Sequence, residues 1–362
     1  MRKRDKRSEK PAEEREVGAE TSRRYRLQID EVEILEKYRR VKDEAVAQGI
    51  DPATVKHGWF KSKESSLFVK NPGFKDAQQI AVENLQLKLI EELKEFAPKF
   101  TLIKRSKSKE GYLLVLDPAD IHVGKLCSAF ETGETYNAQI AVKRVLEGVH
   151  GILDKAQGWN IEKIIFIGGN DILHIDNTKS STTAGTAQDT DGMWYENFLI
   201  AKRLYCDILD ILISVADVHF TFNPSNHDYQ SGFFLAQVIE AYFINNKNIT
   251  FDNSIAHRKY STYGLNLIGT THGDGAKMQD LPLLMAQESS KWSETKHRYI
   301  YTHHVHHKTS KDFIGVTVES LRSPSGTDSW HHRNGYQHSP KAVEGFIHHK
   351  LHGQIARLTH LF

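Results

Sequence analysis

The sequence Asp120-Ile121-His122-Val123-Gly124 follows, after three residues, the apolar run 112–116, which is typical of a buried strand. Side chains alternate along a strand, so a carboxylate and an imidazole two residues apart point the same way. Together they can bind one metal ion through an oxygen and a nitrogen. Alone this pattern is weak evidence, because a strand end can also carry a capping Asp beside a surface His. Its meaning depends on the residues at the ends of the other strands.

Four more clusters rich in Asp, Asn and His each follow an apolar, strand-like run. They are Gly169-Asn170-Asp171-Ile172-Leu173-His174, Asn223-Pro224-Ser225-Asn226-His227-Asp228, Thr271-His272-Gly273-Asp274 and His303-His304-Val305-His306-His307. In open α/β sheets, ligands collect where strands end. Asp, His and Asn are donors suited to Mn, Fe or Zn. Two such ions about 3.5–4 Å apart can clamp the attacking and leaving oxygens of a phosphoryl transfer.

The pattern after residue 110 predicts the fold class of the catalytic domain, 111–362. Helices are expected near 137–156, 190–214, 232–245 and 280–290, and strands at 112–116, 163–167, 217–222, 249–252, 259–263, 265–271, 298–302 and 313–320. This alternation is an α/β layout, and the close spacing of the later strands predicts a two-sheet sandwich with helices outside. Residues 342–349 and 355–361 are expected closing strands with surface histidines.

The five clusters, in this order, resemble the motifs of the calcineurin-like metallophosphoesterases: Asp-x-His, Gly-Asp, Gly-Asn-His-Asp, a lone His and Gly-His-x-His. Within that family, the first two clusters are most similar to the nuclease subunit of the double-strand-break repair complex, whose second motif also ends in His. The resemblance covers about residues 111–310. It implies the metallophosphoesterase sandwich and a hydrolase that uses a metal-activated hydroxide on a phosphodiester.

The resemblance also implies the roles of nine residues. One metal ion would take Asp120, His122, Asp171 and His306. The other would take Asp171, Asn226, His272 and His304, with Asp171 as the bridge. His227 would protonate the leaving oxygen or stabilise the transition state, and His174 would contact the substrate phosphate. The implied ions are Mn, with Fe, Zn or Ni as alternatives.

The chain departs from the family pattern at three positions. Asn170, Ser225 and His303 stand where the family usually has Gly, which permits sharp turns near the metals. The histidine-rich run also allows a shifted register in which His303 and His307 are ligands. The chain ends about fifty residues after its last motif, so the ATPase partner of the repair nuclease is not expected here.

The composition sets broad limits. The chain has 362 residues, 39% hydrophobic content and a net charge of +2, so it can bury a sizeable core and is not basic overall. Two cysteines, Cys127 and Cys206, exclude a disulfide scaffold and favour an intracellular, cytoplasmic setting. No apolar run approaches the length of a membrane span, so no membrane association is expected.

The N-terminal part is expected to be a separate module. Six of the first ten residues are Lys or Arg, and residues 1–20 are interpreted as a basic disordered arm, either for phosphates or simply solvated. Residues 21–104 are expected to form a helical module and a linker helix at 80–96, with a boundary at 104–110. Short helices resembling a helix-turn-helix unit, with one running to about Trp59, would bind DNA or merely pack on the main domain.

Two further stretches are candidates for substrate contact. Residues 177–190, rich in Ser, Thr, Gly and Asp, are expected to form a long loop near the metals. Residues 320–337 combine Arg322 and Arg333 with aromatic rings, which suits contact with phosphates and unpaired bases. The alternative for this second stretch is a structural loop with Trp330 in the core.

These observations predict a DNA nuclease that uses two divalent metal ions, with DNA as its partner. The alternative is a phosphoesterase acting on a small phosphodiester or a phosphoprotein. A binding protein with a degenerate site is disfavoured because every expected ligand is present.

Overall fold

The computed structural model describes residues 97–105 and 110–362, together with residues 43, 45–47, 49, 50, 55, 57–61 and 66–70. Contacts between residues divide the chain into two units, residues 1–88 and 89–362. The sequence analysis expected the boundary at the polar link 104–110, which lies within the second unit. The basic arm expected at 1–20 and the linker helix expected at 80–96 lie outside the described residues. Among the described helices, none has the length and apolar character needed to cross a membrane.

The described part of the first unit contains a pair of antiparallel strands where the sequence predicted a short helix. Strands β1 (His57–Lys61) and β2 (Ser66–Lys70) pair antiparallel, with Trp59 opposite Phe68. The expectation was wrong here because aromatic and β-branched residues in this stretch favour extended backbone. The residues of the helix-start signal itself, 51–54, lie outside the described residues. Most of the remaining 21–104 stretch lies outside the described residues.

The second unit is built on a six-stranded sheet. Its strands are β3 (Tyr112–Asp117), β4 (Ile161–Gly169), β5 (Asp217–Asn223), β6 (Ile249–Asp252), β12 (Ala342–His349) and β13 (Gly353–Leu361). The order across the sheet is β13-β12-β3-β4-β5-β6. Strands β3 to β6 are parallel to one another, whereas β12 runs antiparallel to both β3 and β13.

A second sheet has five strands. These are β7 (Lys259–Tyr263), β8 (Asn266–Thr270), β9 (His297–Thr302), β10 (Thr309–Phe313) and β11 (Val316–Ser320), arranged β10-β11-β9-β8-β7. The single strand expected at 313–320 is instead the end of β10, a turn and all of β11. Gly315 makes this turn possible, because its φ of 78° lies in the left-handed region.

Six helices of the described chain complete this unit: α1 (Ala129–Thr132), α2 (Ala138–Lys155), α3 (Trp194–Val215), α4 (Tyr229–Phe243), α5 (Leu281–Glu288) and α6 (Ser329–Arg333). Alternation along β3 decides which layer each side chain joins. Leu114 and Leu116 pack in the core that also contains residues of α2, α3 and α4. Leu113 and Val115 pack with Ile268 of the other sheet.

The outer face of the five-stranded sheet packs on α5, where Leu267 and Ile300 join Met285 in a third core cluster. The layers are therefore helix, sheet, sheet, helix. This confirms the predicted α/β two-sheet sandwich flanked by helices. The predicted closing strands also form, as β12 and β13.

His348 differs from the expectation for the histidines of the closing strands. Its side chain is fully buried, and its Nε2 lies 2.9 Å from Tyr301 Oη of the second sheet. Both faces of β12 are covered, one by helices and one by the other sheet, so alternation does not bring this side chain to the surface.

Candidate metal centre

The five motifs form tight loops at the carboxyl ends of parallel strands, β3, β4 and β5 of one sheet and β8 and β9 of the other. Five of the predicted ligands in these loops have positive φ angles of 51–71°: Asp120, His122, Asp171, His304 and His306. Such backbone costs a non-glycine residue about 1–3 kcal/mol and clusters at functional sites. The loops therefore hold their shape against local strain, as a preorganised site requires.

One ligand group contains Asp120, His122 and His306, whose donor atoms all lie within 4.8 Å of one another. Asp120 Oδ1 is 3.6 Å from His306 Nε2. His122 Nε2 and His306 Nε2 are 3.3 Å apart. Asp120 is also fixed by the backbone N–H of His304, which donates to its Oδ2 at 3.2 Å. The group offers one carboxylate and two imidazoles to a single cation.

A second ligand group contains Asp171, His272 and His304, again with donor atoms within 4.8 Å of one another. Asp171 Oδ2 lies 3.2 Å from His272 Nε2 and 4.0 Å from His122 Nε2 of the first group. Asn226 Oδ1 joins the second group at 2.9 Å from His272 Nε2. Asp171 therefore belongs to the second group and also approaches the first group through the same oxygen, as a bridging carboxylate must.

The electrostatics favour the protonation states that bind metal. Burial holds the pKa of His122 well below its usual range and lowers the pKa of His306 to about 4, although Asp120 opposes the latter shift. Burial alone would raise the pKa of Asp171, but His272 and His227 outweigh it and lower that pKa. At neutral pH these imidazoles are neutral and this carboxylate is ionised, as metal ligands must be.

His272 provides the test of whether a cation fits. Burial opposes its charge, but Asp171 outweighs burial and raises the pKa of His272 to about 9. The proton on Nε2 is shared between the oxygens of Asp171 and Asn226. A divalent ion bound by the same oxygens and this nitrogen would take the place of that proton, so the donor set fits a metal.

His227 and His174 lie beside the first ligand group. The backbone N–H of His227 donates to Asp171 Oδ1 at 2.9 Å. Its Nδ1 lies 2.9 Å from the carbonyl oxygen of His174, which can only accept, so Nδ1 carries the proton. His174 Nδ1 is 3.3 Å from His122 Nδ1. His122, His174 and His227 form a third group of close donor atoms, which the sequence interpretation did not foresee.

Asn170 and Ser225, two of the three residues that stand where the resembled family usually has Gly, have separate structural explanations. Asn170 adopts a φ of 50°, a conformation that Asn tolerates better than most residues. Ser225 Oγ donates to Asp228 Oδ1 at 2.6 Å and accepts from the backbone N–H of Asp171 at 2.7 Å. Ser225 thereby holds the predicted bridging residue in place.

His303 is part of a buried layer beneath the centre. Its Nε2 lies 2.8 Å from Asp117 Oδ2, and its Nδ1 lies 3.1 Å from the carbonyl oxygen of Thr271. His307 Nδ1 lies 2.8 Å from the carbonyl oxygen of Val305. Neither residue belongs to a ligand group, whereas His304 and His306 both do. The geometry therefore favours His304 and His306, rather than His303 and His307, as metal ligands.

A cavity of about 660 Å³ opens over the centre. Seven of the nine predicted residues line it, namely His122, Asp171, His174, Asn226, His227, His304 and His306. Asp120 and His272 lie beneath, both almost fully buried. The loop at 177–190 contributes lining residues at 182, 184 and 186–189, so it lies next to the ligands as its position in the sequence predicted.

The cavity is also lined by Lys125, which the sequence did not assign to the site, and by part of the stretch 320–337, which it predicted for substrate contact. Lys125 is only 1% exposed, and its Nζ forms an ion pair of 2.8 Å with Asp328 Oδ2. His331 stacks on His306, with ring centroids 4.9 Å apart and an interplanar angle of 15°. The alternative that placed Trp330 in the core is wrong, because this side chain is 61% exposed.

No protein-family model matches the chain, and no curated protein does. A solved archaeal phosphodiesterase is similar at 10% identity over 69% of this chain and 99% of that one, with a TM-score of 0.33. Vps29 of Entamoeba histolytica complexed with zinc is 12% identical over 68% and 98% of the two chains, with a TM-score of 0.30. A putative 5′-nucleotidase of Staphylococcus aureus is 11% identical over 70% of this chain and 54% of that one, with a TM-score of 0.33. Similarity this low does not assign an activity.

Proposed function

We propose that this protein is a phosphodiesterase that depends on two divalent metal ions and that its substrate is DNA. The observation that carries the proposal is the position of Asp171 Oδ2, 3.2 Å from His272 Nε2 and 4.0 Å from His122 Nε2. Two groups of nitrogen and oxygen donors near one carboxylate oxygen match the ligands of a two-metal hydrolase.

The seven candidate ligands divide between two ions. Asp120, His122 and His306 would hold one ion, and Asn226, His272 and His304 the other, with Asp171 shared. Bound ions would supply Lewis acidity to the phosphoryl oxygens and make water a better nucleophile at neutral pH. The mixed oxygen and nitrogen donors suit Mn, and also Fe, Zn or Ni.

His227 has the position of a proton donor to the leaving oxygen. Its backbone N–H and its Nδ1 are both engaged, with Asp171 and with the carbonyl of His174. These two bonds fix the ring and leave Nε2 for exchange of a proton with a substrate in the cavity. His174, beside it, would contact a phosphate oxygen.

Two features support DNA over a small substrate. The cavity extends from the ligand groups to the exposed side chains of Trp330 and Tyr336, so a substrate longer than a single phosphoryl group can contact both. Six Lys or Arg among the first ten residues would contact phosphates of a polyanion. The resemblance of the first two motifs to a repair nuclease agrees with this choice. The second candidate remains a phosphoesterase for a small phosphodiester or a phosphoprotein.

The test uses the full chain, stripped with a chelator and then supplied with Mn, Zn or Mg. End-labelled single- and double-stranded oligonucleotides, a chromogenic phosphodiester and a phosphopeptide are offered in parallel. Metal-dependent cleavage of the oligonucleotides with higher kcat/KM than the chromogenic ester is the expected result. Cleavage of the small ester or the phosphopeptide alone would favour the second candidate, and no metal-dependent hydrolysis of any substrate would refute the proposal.

A further inference from the structure

Helix α6 and the loop after it expose two large aromatic rings beside the candidate metal centre. Trp330 is 61% and Tyr336 54% exposed, and their ring centroids lie 5.8 Å apart at an interplanar angle of 31°. Both residues line the cavity that contains the ligand groups. Exposed aromatic surface of this size is costly in water, and where it clusters it commonly marks a binding site.

Side-chain contacts of α6 connect the segment that carries this aromatic pair to the candidate metal centre. Asp328 caps the helix, accepting from the backbone N–H of His331 at 2.8 Å, and its other carboxylate oxygen pairs with the buried Lys125. His331 in turn stacks on the predicted ligand His306. Ser329 Oγ forms a hydrogen bond with Glu131 of α1. These contacts hold α6, which carries Trp330, next to the ligands.

Arg333, at the end of α6, also lines the cavity. Within the described part of the chain, its guanidinium has no hydrogen-bond or ion-pair partner, unlike Arg144, Arg322 and Arg357, whose guanidinium groups pair with Glu carboxylates. A free guanidinium next to two exposed rings combines a charge for a phosphate with a surface for a planar group.

We propose that Trp330 and Tyr336 form a stacking platform for an unpaired nucleobase next to the phosphodiester that is cleaved, with Arg333 binding a neighbouring phosphate. This inference rests on the proposed function and names its substrate class, single-stranded DNA or an unpaired DNA end. A base inside a duplex presents only its edges, so its face can reach the platform only when it is unstacked. Aromatic stacking is tolerant of sequence, because every base has a π-face.

The test compares Trp330→Ala with wild type on two oligomers of equal length. One is oligothymidylate, and the other carries the same phosphodiester backbone on abasic tetrahydrofuran units. Losing one base stack should lower kcat/KM for oligothymidylate by about 5- to 150-fold, mainly through KM. Cleavage of the abasic oligomer should not change. Trp330→Phe should restore most of the loss, since it retains an aromatic face.

Trp194→Ala is the matched control, because Trp194 is 46% exposed but does not line the cavity. Equal losses on both oligomers, no loss on oligothymidylate, or the same loss in Trp194→Ala would overturn the platform. Circular dichroism checks that each variant is folded.

Binding measured in a chelator separates this inference from the proposed function. Fluorescence anisotropy should show that wild type binds oligothymidylate more tightly than the abasic oligomer, and that Trp330→Ala removes this difference. A blunt duplex should bind both proteins equally. Absence of any cleavage with this binding pattern intact would refute the phosphodiesterase and leave the platform standing. Equal binding of the two oligomers by wild type would refute the platform, whatever the enzyme cleaves.

Discussion

At the scale of single residues, a variant of His227 distinguishes a role in metal binding from a role in catalysis. Its side chain is held by the carbonyl of His174 and lines the cavity. We expect His227→Ala to retain its metal ions and to lose about 10²- to 10⁴-fold in kcat, the usual contribution of a general acid. Elemental analysis and steady-state kinetics measure both quantities. Loss of metal from this variant would instead make His227 a ligand, together with His122 and His174.

His348 predicts a pH dependence of stability that is independent of the site. Burial lowers its pKa to about 3. Between that pH and the unfolded value near 6.5, the unfolded chain binds more protons at this residue than the folded chain. Stability contributed by this residue is therefore full above about pH 6.5 and decreases as the pH falls, by roughly 2 kcal/mol at pH 5.

The variant His348→Gln keeps a hydrogen-bonding group near Tyr301 but cannot take up a proton. The drop in unfolding free energy between pH 7.5 and pH 5 should be about 2 kcal/mol smaller in this variant than in wild type. Urea unfolding of both proteins at the two pH values measures this difference. An identical drop would show that His348 does not carry the effect.

The nine candidate site residues could be picked out from the sequence because each belongs to a short motif at a strand end, and the structure brings them close together. The sequence did not reveal Asp117 or Lys125, although Asp117 lies only three residues before Asp120. Their roles arise from contacts over long separations, such as His303 with Asp117 and Lys125 with Asp328. No local pattern encodes such a pairing, so only the packed structure reveals it.

At the scale of elements, Asp176 links the loop at 177–190 to helix α4. The carboxylate of Asp228, just before this helix, faces Ser225 and Leu173 and makes no cap. Asp176 caps the helix instead, accepting from the backbone N–H of Ser231 at 2.7 Å. It also accepts from Thr183 Oγ1 of the loop at 2.8 Å.

Asp176→Ala should therefore cost about 0.5–2 kcal/mol of stability, the usual cost of a lost N-cap. It should also raise KM while leaving metal content unchanged, because the loop lines the cavity. Asp312→Ala, in the hairpin of β10 and β11, is a control that removes an exposed carboxylate that does not line the cavity. An unchanged KM and stability in Asp176→Ala would show that the loop needs no such anchor.

Strands and helices of the second unit were predictable because their apolar periodicity is strong and each face is covered. The predictions failed where turn chemistry mattered, at Gly315, which splits one expected strand into a hairpin. They also failed at His57–Lys61, where the backbone is extended rather than helical. Both failures concern antiparallel strand pairs, whose pairing depends on contacts beyond the segment itself.

At the scale of the whole molecule, the first unit is expected to supply affinity for DNA rather than chemistry. Residues 97–105 belong with the second unit: Phe100 stacks on Phe243 with centroids 5.3 Å apart, and Arg105 Nε lies 2.9 Å from Asp217 Oδ1. A deletion should therefore remove residues 1–88 and retain this segment, rather than end at residue 104.

Deleting residues 1–88 should leave cleavage of a small phosphodiester intact and weaken DNA binding. The dependence of affinity on salt should become shallower by about one unit of slope for each lost phosphate contact. Titration of both proteins with labelled DNA at several salt concentrations measures affinity and slope together. Unchanged values would assign the first unit to packing or to another partner.

Whether one carboxylate joins two metal ions can be decided from the metal content of Asp171→Asn. The neutral amide keeps the shape of the side chain but loses the charge that both ligand groups face. Asp189→Asn, which also changes a carboxylate lining the cavity, is the matched control. Elemental analysis after dialysis against Mn should find two ions per chain in wild type and in Asp189→Asn, and loss of both from Asp171→Asn together with nearly all turnover. Two ions per chain and near-normal turnover in Asp171→Asn would contradict a bridging role for Asp171.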